Sequence, residues 1–587
     1  MRLTPEQRAF VDHLPEAFVA ACPGAGKTQM IVARMGRIAS KLPPRRGIAI
    51  LSFTNTAIET FISRCHVAGL GDALLHPGFI GTFDAFLRHF FFASGGVDGI
   101  AIRPTVVDSW TTLGVDVRLP GSMAFRGQGV SLDRFDPETN QINPDSIGHN
   151  GQRAHVRTHQ SAYEQAAAKR RNALRWKAYL SSEDVRVDVS KRLKHAEWAD
   201  ALGRALARRF EEIIVDEAQD CNPLDCQIIH WLRDQGIAVT VIGDPDQSIY
   251  GFRNGGLDGL RGIGEKYDVS NRLVLTGNFR SSPPVCSLAA TLRSRSTPDI
   301  STGDSAAISE MVHVLSYSSP SVSDAIGSRF CELITAAGIP KTNGIVLAHS
   351  RRIALKACGS DIEDETSNSH VSRIACAVGA FWSPSVSNRI RESALQKIEW
   401  TLLDLMGQLD EGEIPSRATE RRGVDPRWLR RSALELIRHL PRTCADTTSA
   451  RTSWITTLRE GVKSLNLTYR AGTSVNQYFQ NRTDANWNRF LVSESVPDIR
   501  SSTVHEAKGK EYDAVCIVIP PDRANSPRTD QLLTCWQNRT DGEAKRVIYV
   551  GVTRAMKLVA IAIPATFKNR LITILQPIQD IIRFHDL

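Results

Sequence analysis

An apolar run, Ala17-Phe18-Val19-Ala20, leads into Ala21-Cys22-Pro23-Gly24-Ala25-Gly26-Lys27-Thr28, and a helical pattern continues from Lys27 toward Lys41. Strand, glycine loop and helix in that order is the setting of a phosphate-binding loop. In such a loop the backbone N–H groups of Gly24, Ala25 and Gly26 and the helix N-terminus wrap a β-phosphate. Lys27 reaches the β/γ oxygens and Thr28 ligates Mg²⁺. Ala21 stands where the strict pattern has glycine, so a plain strand-to-helix turn is the competing reading of these residues alone. A second signature, Asp216-Glu217-Ala218-Gln219-Asp220, directly follows the short apolar run Ile213-Ile214-Val215. Such a run suits a buried parallel strand, and carboxylates at its C-terminal end are placed for phosphate chemistry. Asp216 can hold Mg²⁺ through water, and Glu217 can take a proton from an attacking water. The pair points to a nucleoside triphosphatase of α/β class.

The chain has 587 residues, too many for one core, and divides into three or four domains. A net charge of +9 suits a polyanionic partner without proving one. The 11 cysteines are scattered and form no Cys-x-x-Cys pair, which signals neither zinc nor an iron–sulfur cluster and fits a reducing cytosol. No signal peptide and no apolar stretch of membrane-spanning length is present, so a cytoplasmic location is expected.

Further motifs are spread along the chain. They are Gln7, Ser52-Phe53-Thr54-Asn55, Gly243-Asp244-Pro245-Asp246-Gln247-Ser248-Ile249-Tyr250-Gly251-Phe252-Arg253 and Asn278-Phe279-Arg280-Ser281. Thr503-Val504-His505-Glu506-Ala507-Lys508-Gly509-Lys510-Glu511 and Tyr549-Val550-Gly551-Val552-Thr553-Arg554-Ala555 follow. In order and spacing the set resembles the motifs of superfamily 1 helicases of the UvrD/Rep type, over residues 3 to 558. The resemblance implies two RecA-like P-loop motor domains with ATP between them, each carrying an inserted, mostly helical accessory domain.

It also implies roles. Gln7 resembles the adenine-reading glutamine, and Phe279 the ring that stacks on the base. Lys27, Thr28, Asp216 and Glu217 form the Mg²⁺ and water-activating half. Gln247 resembles the γ-phosphate sensor, Arg280 and Arg554 arginine fingers from the second domain, and Glu511 the ribose contact. Phe53, Tyr250 and Phe252 resemble base-stacking aromatics. Thr54, Asn55, Thr82, Arg253, Thr503 and His505 resemble DNA-backbone contacts. Read without the family, Tyr250 and Phe252 are core residues more readily than base platforms. The basic runs Lys169-Arg170-Arg171 and Arg427 to Arg431, the latter with Trp428, track phosphates or form solvated helix faces equally well.

The expected domain plan is a first motor domain of residues 1–92 and 208–278, interrupted by an accessory insertion at 93–207. A second motor domain of 279–355 and 495–587 is interrupted by a shortened insertion at 356–494. Strands are expected at 47–53, 213–215 and 238–242 in the first domain and at 344–348, 514–519 and 558–563 in the second.

Four departures stand out. Thr56 replaces a lysine, Lys510 a leucine, and Asp84 in Gly81-Thr82-Phe83-Asp84 a histidine that usually faces DNA. An acid there would repel a phosphate. The strand-separating hairpin that usually follows the Thr-Arg-Ala motif has no room between Leu558 and Phe567. Trp536, in an expected loop, is the nearby aromatic that would substitute. Two readings follow. One is an ATP-dependent 3′→5′ translocase or helicase on single-stranded or 3′-tailed duplex DNA. The other is a DNA-gated ATPase controlling a partner such as a nuclease. The compact second insertion, the missing hairpin and the absent tail beyond Leu587 resemble helicase-like components of anti-phage systems such as Gabija.

Overall fold

The computed structural model describes residues 3–92, 104–113, 115–119, 129–147, 150–249, 257–293, 299–318, 322–359, 369–383, 388–409, 415–445, 447–480, 491, 499–522 and 528–587. Six strands form the first sheet: β1 (Phe18–Ala21), β2 (Gly47–Ser52), β3 (Phe79–Thr82), β4 (Phe210–Val215), β5 (Val239–Gly243) and β6 (Arg272–Leu275). Their order is β6-β1-β5-β4-β2-β3 and every pairing is parallel. Alternate residues serve opposite faces: Leu51, Ile213 and Val241 enter one core, while Ile50, Ile214 and Ile242 enter the other. Both faces are covered, which is why these strands read as unbroken apolar runs.

The helix behind the glycine loop, Lys27–Ala39, is fixed from below by a buried charge pair. Arg34 and Glu212 are both fully buried and meet at 2.8 Å. Arg34 also donates to the carbonyls of Phe10 (2.7 Å), His13 (3.0 Å) and Leu14 (3.2 Å). Removing one partner would strand a buried charge, a loss of about 3–5 kcal/mol.

The second sheet is also parallel throughout. It comprises β7 (Val312–Tyr317), β8 (Gly344–Ala348), β9 (Arg500–Thr503), β10 (Tyr512–Val518), β11 (Ala555–Pro564) and β12 (Ile582–Asp586). The order is β9-β8-β10-β11-β7-β12. The two six-stranded parallel sheets give the expected α/β class with two RecA-like domains. Strands β3, β6, β7, β9 and β12 have no counterpart among the sequence-level expectations. β3, β6, β9 and β12 are the sheet edges, short and mixed in polarity.

Each insertion has its own core. The first buries Trp110, Val117, Leu132, Phe135, Tyr163 and Leu174 together. Its helical part begins with Asn150–Thr158 and continues in Gln160–Trp176. Leu180, Val185, Val189 and Leu206, from the end of this stretch, pack instead into the first motor core. The second insertion is a helical bundle built on His370–Trp382, Asn388–Leu405, Pro426–His439 and Thr448–Ser464. No helix of the described residues is long and apolar enough to cross a membrane.

Trp536 is a correction to the sequence reading. It lies on the helix Arg528–Gln537, is 2% exposed, and donates from its indole N–H to Thr291 Oγ1 at 3.1 Å. It is core, so it cannot act as a wedge. β11 runs through the sheet interior to Pro564, followed by the turn Ala565–Phe567 and the helix Lys568–Leu575, with no hairpin between.

The terminal strand β12 is tied to β7 by a histidine pair. His313 Nδ1 lies 3.0 Å from His585 Nε2, and Arg329 contacts the far side of the His585 ring. Burial, together with His585, Arg583 and Arg329, pushes His313 down to about 4. The fold therefore holds a neutral imidazole that the unfolded chain would protonate below its ordinary 6.5. Stability is complete above that pH and is lost as pH falls toward 4, by roughly 2 kcal/mol at pH 5. The expected outcome is that His313→Gln loses less thermal stability than wild type between pH 7.5 and 5, measured by melting at both pH values.

Candidate nucleotide and nucleic-acid site

The strands of the first sheet end in the residues that carry chemistry, as expected for the carboxyl edge of a parallel sheet. β1 ends in the glycine loop, β4 in Asp216-Glu217 and β5 in Asp244. Gly24 and Gly26 have φ of +73° and +72°, backbone that side-chain-bearing residues rarely adopt. Gly24 has a second reason to be glycine. A Cβ there would sit 2.5 Å from Asn278 Oδ1 and 2.6 Å from Arg280 Cβ. The loop and the Asn278–Ser281 turn are in direct contact, and Phe279 N donates to Gly24 O at 2.8 Å.

Gln7 and Phe279 converge on Gly26: a Cβ there would meet Gln7 Nε2 at 2.8 Å and the Phe279 ring at 3.9 Å. Gln7 donates to Ala25 O (2.8 Å) and accepts from Thr4 N (3.0 Å), so it props the loop. Reading a base edge would require those bonds to exchange.

Lys27 Nζ lies 3.1 Å from Glu217 Oε1. Burial alone would lower Lys27, but Glu217, then Asp216 and Asp244, outweigh it and hold the ammonium above its ordinary value. Burial also acts on Glu217, upward, but Lys27 and Lys508 outweigh it and hold the carboxyl down at about 2. Its neighbour Asp216 goes the other way, pushed up to about 7 by burial and by the charge of Glu217. Glu217 sits at φ +56°, a strained left-handed position of the kind that clusters at functional sites. Its second oxygen accepts from Gln219.

The donor set suits Mg²⁺, which takes one or two carboxylates with phosphate oxygens and water rather than a full protein cage. Asp216 Oδ1 is buried and makes no hydrogen bond. Thr28 follows Lys27 in the first turn of the same helix. Among the described residues, no group of three or more His, Cys, Asp or Glu forms a cage of its own.

The second domain closes the cleft. Asn278 Oδ1 accepts from the backbone N–H groups of Arg280 (2.9 Å) and Ser281 (3.0 Å), shaping the turn that presents Phe279 and Arg280. Arg280 pairs with Glu511 at 2.6 Å and donates to Thr553 O at 3.1 Å. The residue expected at the ribose is thus held by one expected finger. Arg554 is buried and donates to Gln247 Oε1 at 3.1 Å, while Gln247 donates to Asp244 Oδ2 at 3.0 Å. Burial, with Arg280 close by, lowers the Arg554 guanidinium to about 9. It remains a cation at neutral pH, in a place where an anion would relieve it.

Several cross-domain contacts escaped sequence reasoning. Lys508 pairs with Asp220, Tyr549 donates to Asp244 Oδ2 at 2.9 Å, and Arg546 donates to Ser248 O at 2.5 Å. Lys508 belongs to the Thr-Val-His-Glu-Ala-Lys-Gly run, so a lysine within a motif was the available signal.

On the nucleic-acid side, Phe53 stacks on Phe83 with ring centroids 5.5 Å apart. Thr54 and Asn55 are exposed where the helix Asn55–Val67 begins. Thr82 and Thr503 occupy equivalent places: each ends an edge strand and caps a short helical turn, accepting from Ala85 N and Glu506 N at 3.1 Å. His505 Nε2 is 3.3 Å from Ile249 O. Tyr250, Phe252 and Arg253 lie outside the described residues.

Within the basic runs Arg171 pairs with Asp184, Arg430 with Glu392 and Glu399, and Arg431 with Glu435 on the surface; nearby, Arg175 pairs with Asp188. Asp84 does not face solvent as a bare acid, because it pairs with Arg186 at 2.8 Å.

Comparison with known proteins agrees with this geometry. The UvrD/REP helicase N-terminal domain profile matches residues 3–96 and 129–268, and the UvrD-like helicase C-terminal domain profile matches 479–564. The chain belongs to the UvrD/REP helicase family. Relatives include ATP-dependent DNA helicase srs2 of Schizosaccharomyces pombe, 25% identical over 311 residues, covering 50% of this chain and 35% of that protein. ATP-dependent DNA helicase PcrA of Leuconostoc citreum is 24% identical over 279 residues, 46% of this chain and 36% of its own length. ATP-dependent DNA helicase UvrD1 of Mycobacterium tuberculosis is 24% identical over 326 residues, 50% of this chain and 39% of its own. The chain therefore spans well under half the length of these curated relatives.

Two substitutions test the site. Glu217→Gln keeps shape and loses basicity, so ATP binding should persist while turnover falls about 10²–10⁴-fold. Arg554→Ala should leave ATP affinity nearly intact and lower turnover by roughly 10³–10⁵, the span of an arginine finger. Nucleotide titration and steady-state ATPase rates separate the two effects, and a change confined to affinity would make Arg554 a binding residue.

Proposed function

We propose that this chain is an ATP-driven translocase on single-stranded DNA, moving 3′→5′, with limited strand-separating power. The observation that carries the reading is the meeting of two half-sites. Lys27, Asp216, Glu217 and Gln247 on the first sheet face Arg554 and Arg280 across the domain boundary.

The residues divide the work. A triphosphate competes with Glu217 for Lys27, so substrate binding frees the carboxylate from the ion pair that holds it acidic. Glu217 then orients a water and takes its proton as the water oxygen bonds to the γ-phosphorus and the bond to the ADP oxygen breaks. Thr28 and Asp216 would hold Mg²⁺, which would supply charge neutralisation to the phosphates. Arg554 and Arg280 stabilise the charge on the transferring phosphoryl group, and Gln247 reports its presence. Closing and reopening of the two sheets moves the track formed by Phe53, Thr54, Asn55, Thr82, Thr503 and His505, with Tyr250, Phe252 and Arg253, along the strand.

A second reading is favoured by one observation. β11 passes straight into the turn Ala565–Phe567 and the helix Lys568–Leu575, and Trp536, the aromatic expected to stand in for the hairpin, is buried. Parting a base-pair step opposes roughly 0.6–2.2 kcal/mol of stacking and calls for a rigid wedge. Without one at this position, the ATPase serves as a DNA-gated switch for a partner such as a nuclease, in repair or in anti-phage defence.

A strand-displacement assay on blunt and 3′-tailed duplexes, with ATPase measured in parallel, distinguishes the two. The translocase reading expects strong stimulation by single-stranded DNA, weak blunt-end unwinding and better but poorly processive unwinding from a 3′ tail. Intact ATPase with no unwinding of either duplex supports the switch. Processive unwinding over hundreds of base pairs would refute the missing-wedge argument. Binding should also weaken with salt at a log–log slope near −0.7 for each phosphate neutralised.

A further inference from the structure

Arg186 lies on the helix Ser182–Leu193, in the stretch of chain between β3 and β4 of the first sheet, and is 2% exposed. One guanidinium serves three carboxylates. Nη1 meets Asp84 Oδ1 at 2.8 Å, Nε meets Asp225 Oδ1 at 2.7 Å, and Glu183 lies 3.9 Å away. Arg186 also donates to Ser182 O at 3.1 Å, which fixes its own helix turn.

Each carboxylate belongs to a different working element. Asp84 sits on the turn that Thr82 caps at the end of β3. Asp225 closes a reciprocal cap with Asn222: Asp225 Oδ2 accepts from Asn222 N at 3.0 Å, and Asn222 Oδ1 accepts from Asp225 N at 2.8 Å. Asn222 follows Cys221, whose N–H donates to Ala218 O at 3.2 Å within the loop that carries Asp216 and Glu217. Asn222 Nδ2 in turn donates to Glu183 at 2.8 Å. A chain of contacts therefore runs from the Thr82 turn to the loop of the catalytic carboxylates: an ion pair from Asp84 to Arg186, charge-assisted hydrogen bonds from Arg186 to Asp225 and on to Asn222, and a backbone bond from Cys221 to Ala218.

The hydrogen bonds from Arg186 to Asp225 and from Asn222 to Asp225 and Glu183 are strong and directional, and a buried network of this kind behaves as a unit, with the Asp84 ion pair joined to it by charge. Asp84 is its half-exposed end, with a side chain 35% exposed. A phosphate approaching Thr82 would repel the Asp84 carboxylate and press it toward the guanidinium.

We propose that Arg186 is a positioning residue that transmits occupancy of the Thr82 turn by DNA to the Asp216–Asp220 loop, with Asp84 as the sensing end. The proposal rests on the translocase reading above. It assigns the acid at position 84 a use, where a neutral or basic side chain could not make the same link to a buried arginine.

The test compares wild type with Asp84→Asn, Asp84→Glu and Arg186→Lys, each checked for an unchanged melting profile. Four quantities are read: DNA-free turnover, KM for ATP, maximal turnover with an oligo(dT) strand, and the oligo(dT) concentration giving half-maximal stimulation. Asp84→Asn should keep DNA-free turnover and KM, lose about threefold to tenfold in the stimulation factor, and need no more oligo(dT) than wild type. Asp84→Glu, which restores the charge, should recover most of the stimulation. Arg186→Lys, which cannot bridge two carboxylates in one plane, should repeat the Asp84→Asn loss. An unchanged stimulation factor in Asp84→Asn would overturn the link, as would a parallel fall in DNA-free turnover. Wild-type turnover that ignores oligo(dT) altogether would overturn the translocase reading, and the link with it.

Discussion

The cleft depends on the short segment from Asp244 to Ile249, which leaves the first sheet at β5 and is gripped by the second domain. Tyr549 donates to Asp244, Arg554 to Gln247 and Arg546 to the Ser248 carbonyl, while His505 contacts the Ile249 carbonyl. Ile249 itself is fully buried in the second-domain core, among Val504, Val547 and Tyr549. Any movement between the sheets must carry this segment or break these bonds. In sequence it continues into Tyr250–Arg253, so the residue expected to sense phosphate and the residues expected to begin the DNA track are neighbours in one stretch of chain.

Charges around that segment are paired across and within the two domains. Lys27 holds Glu217, Lys508 holds Asp220, and Glu511 holds Arg280. Arg554 is the one whose charge burial opposes most clearly, and Arg280 nearby adds to the opposition. Binding a polyanion between the sheets would exchange several protein–protein pairs for protein–phosphate pairs. The cost of separating the former is thereby offset by the gain of the latter, which is the condition for a cycle that opens as readily as it closes.

Much of this arrangement was legible in the sequence where chemistry dictates residue type. Glycines at positive φ, a lysine at a helix start and carboxylates after a buried strand can be read without coordinates, and Lys27, Asp216, Glu217, Gln247 and Arg554 do converge. Contacts between distant residues could not be read that way. Nothing local marks Arg186 as the partner of Asp84, because the two are joined only by the fold. Trp536 was misjudged for a related reason: an aromatic near a motif looks available until its helix is packed against Thr291. The basic runs stayed open between phosphate track and solvated face, since a row of arginines does not reveal that Asp184 and Glu399 lie opposite Arg171 and Arg430. Edge strands such as β6 and β12 were missed because one-sided burial leaves only a short, mixed apolar signal.

Gly24 carries a consequence for how such loops are compared between proteins. A glycine in a phosphate-binding loop is usually explained by the phosphate alone. Here the space a side chain would need is already filled by Asn278 and by Arg280, the latter from the neighbouring lobe. The residue is therefore constrained twice, once by its backbone φ of +73° and once by that turn. A P-loop protein that works as a single lobe escapes the second constraint. Alanine at this position would then meet backbone strain alone, and any further loss it causes marks a loop that evolved to meet a second lobe.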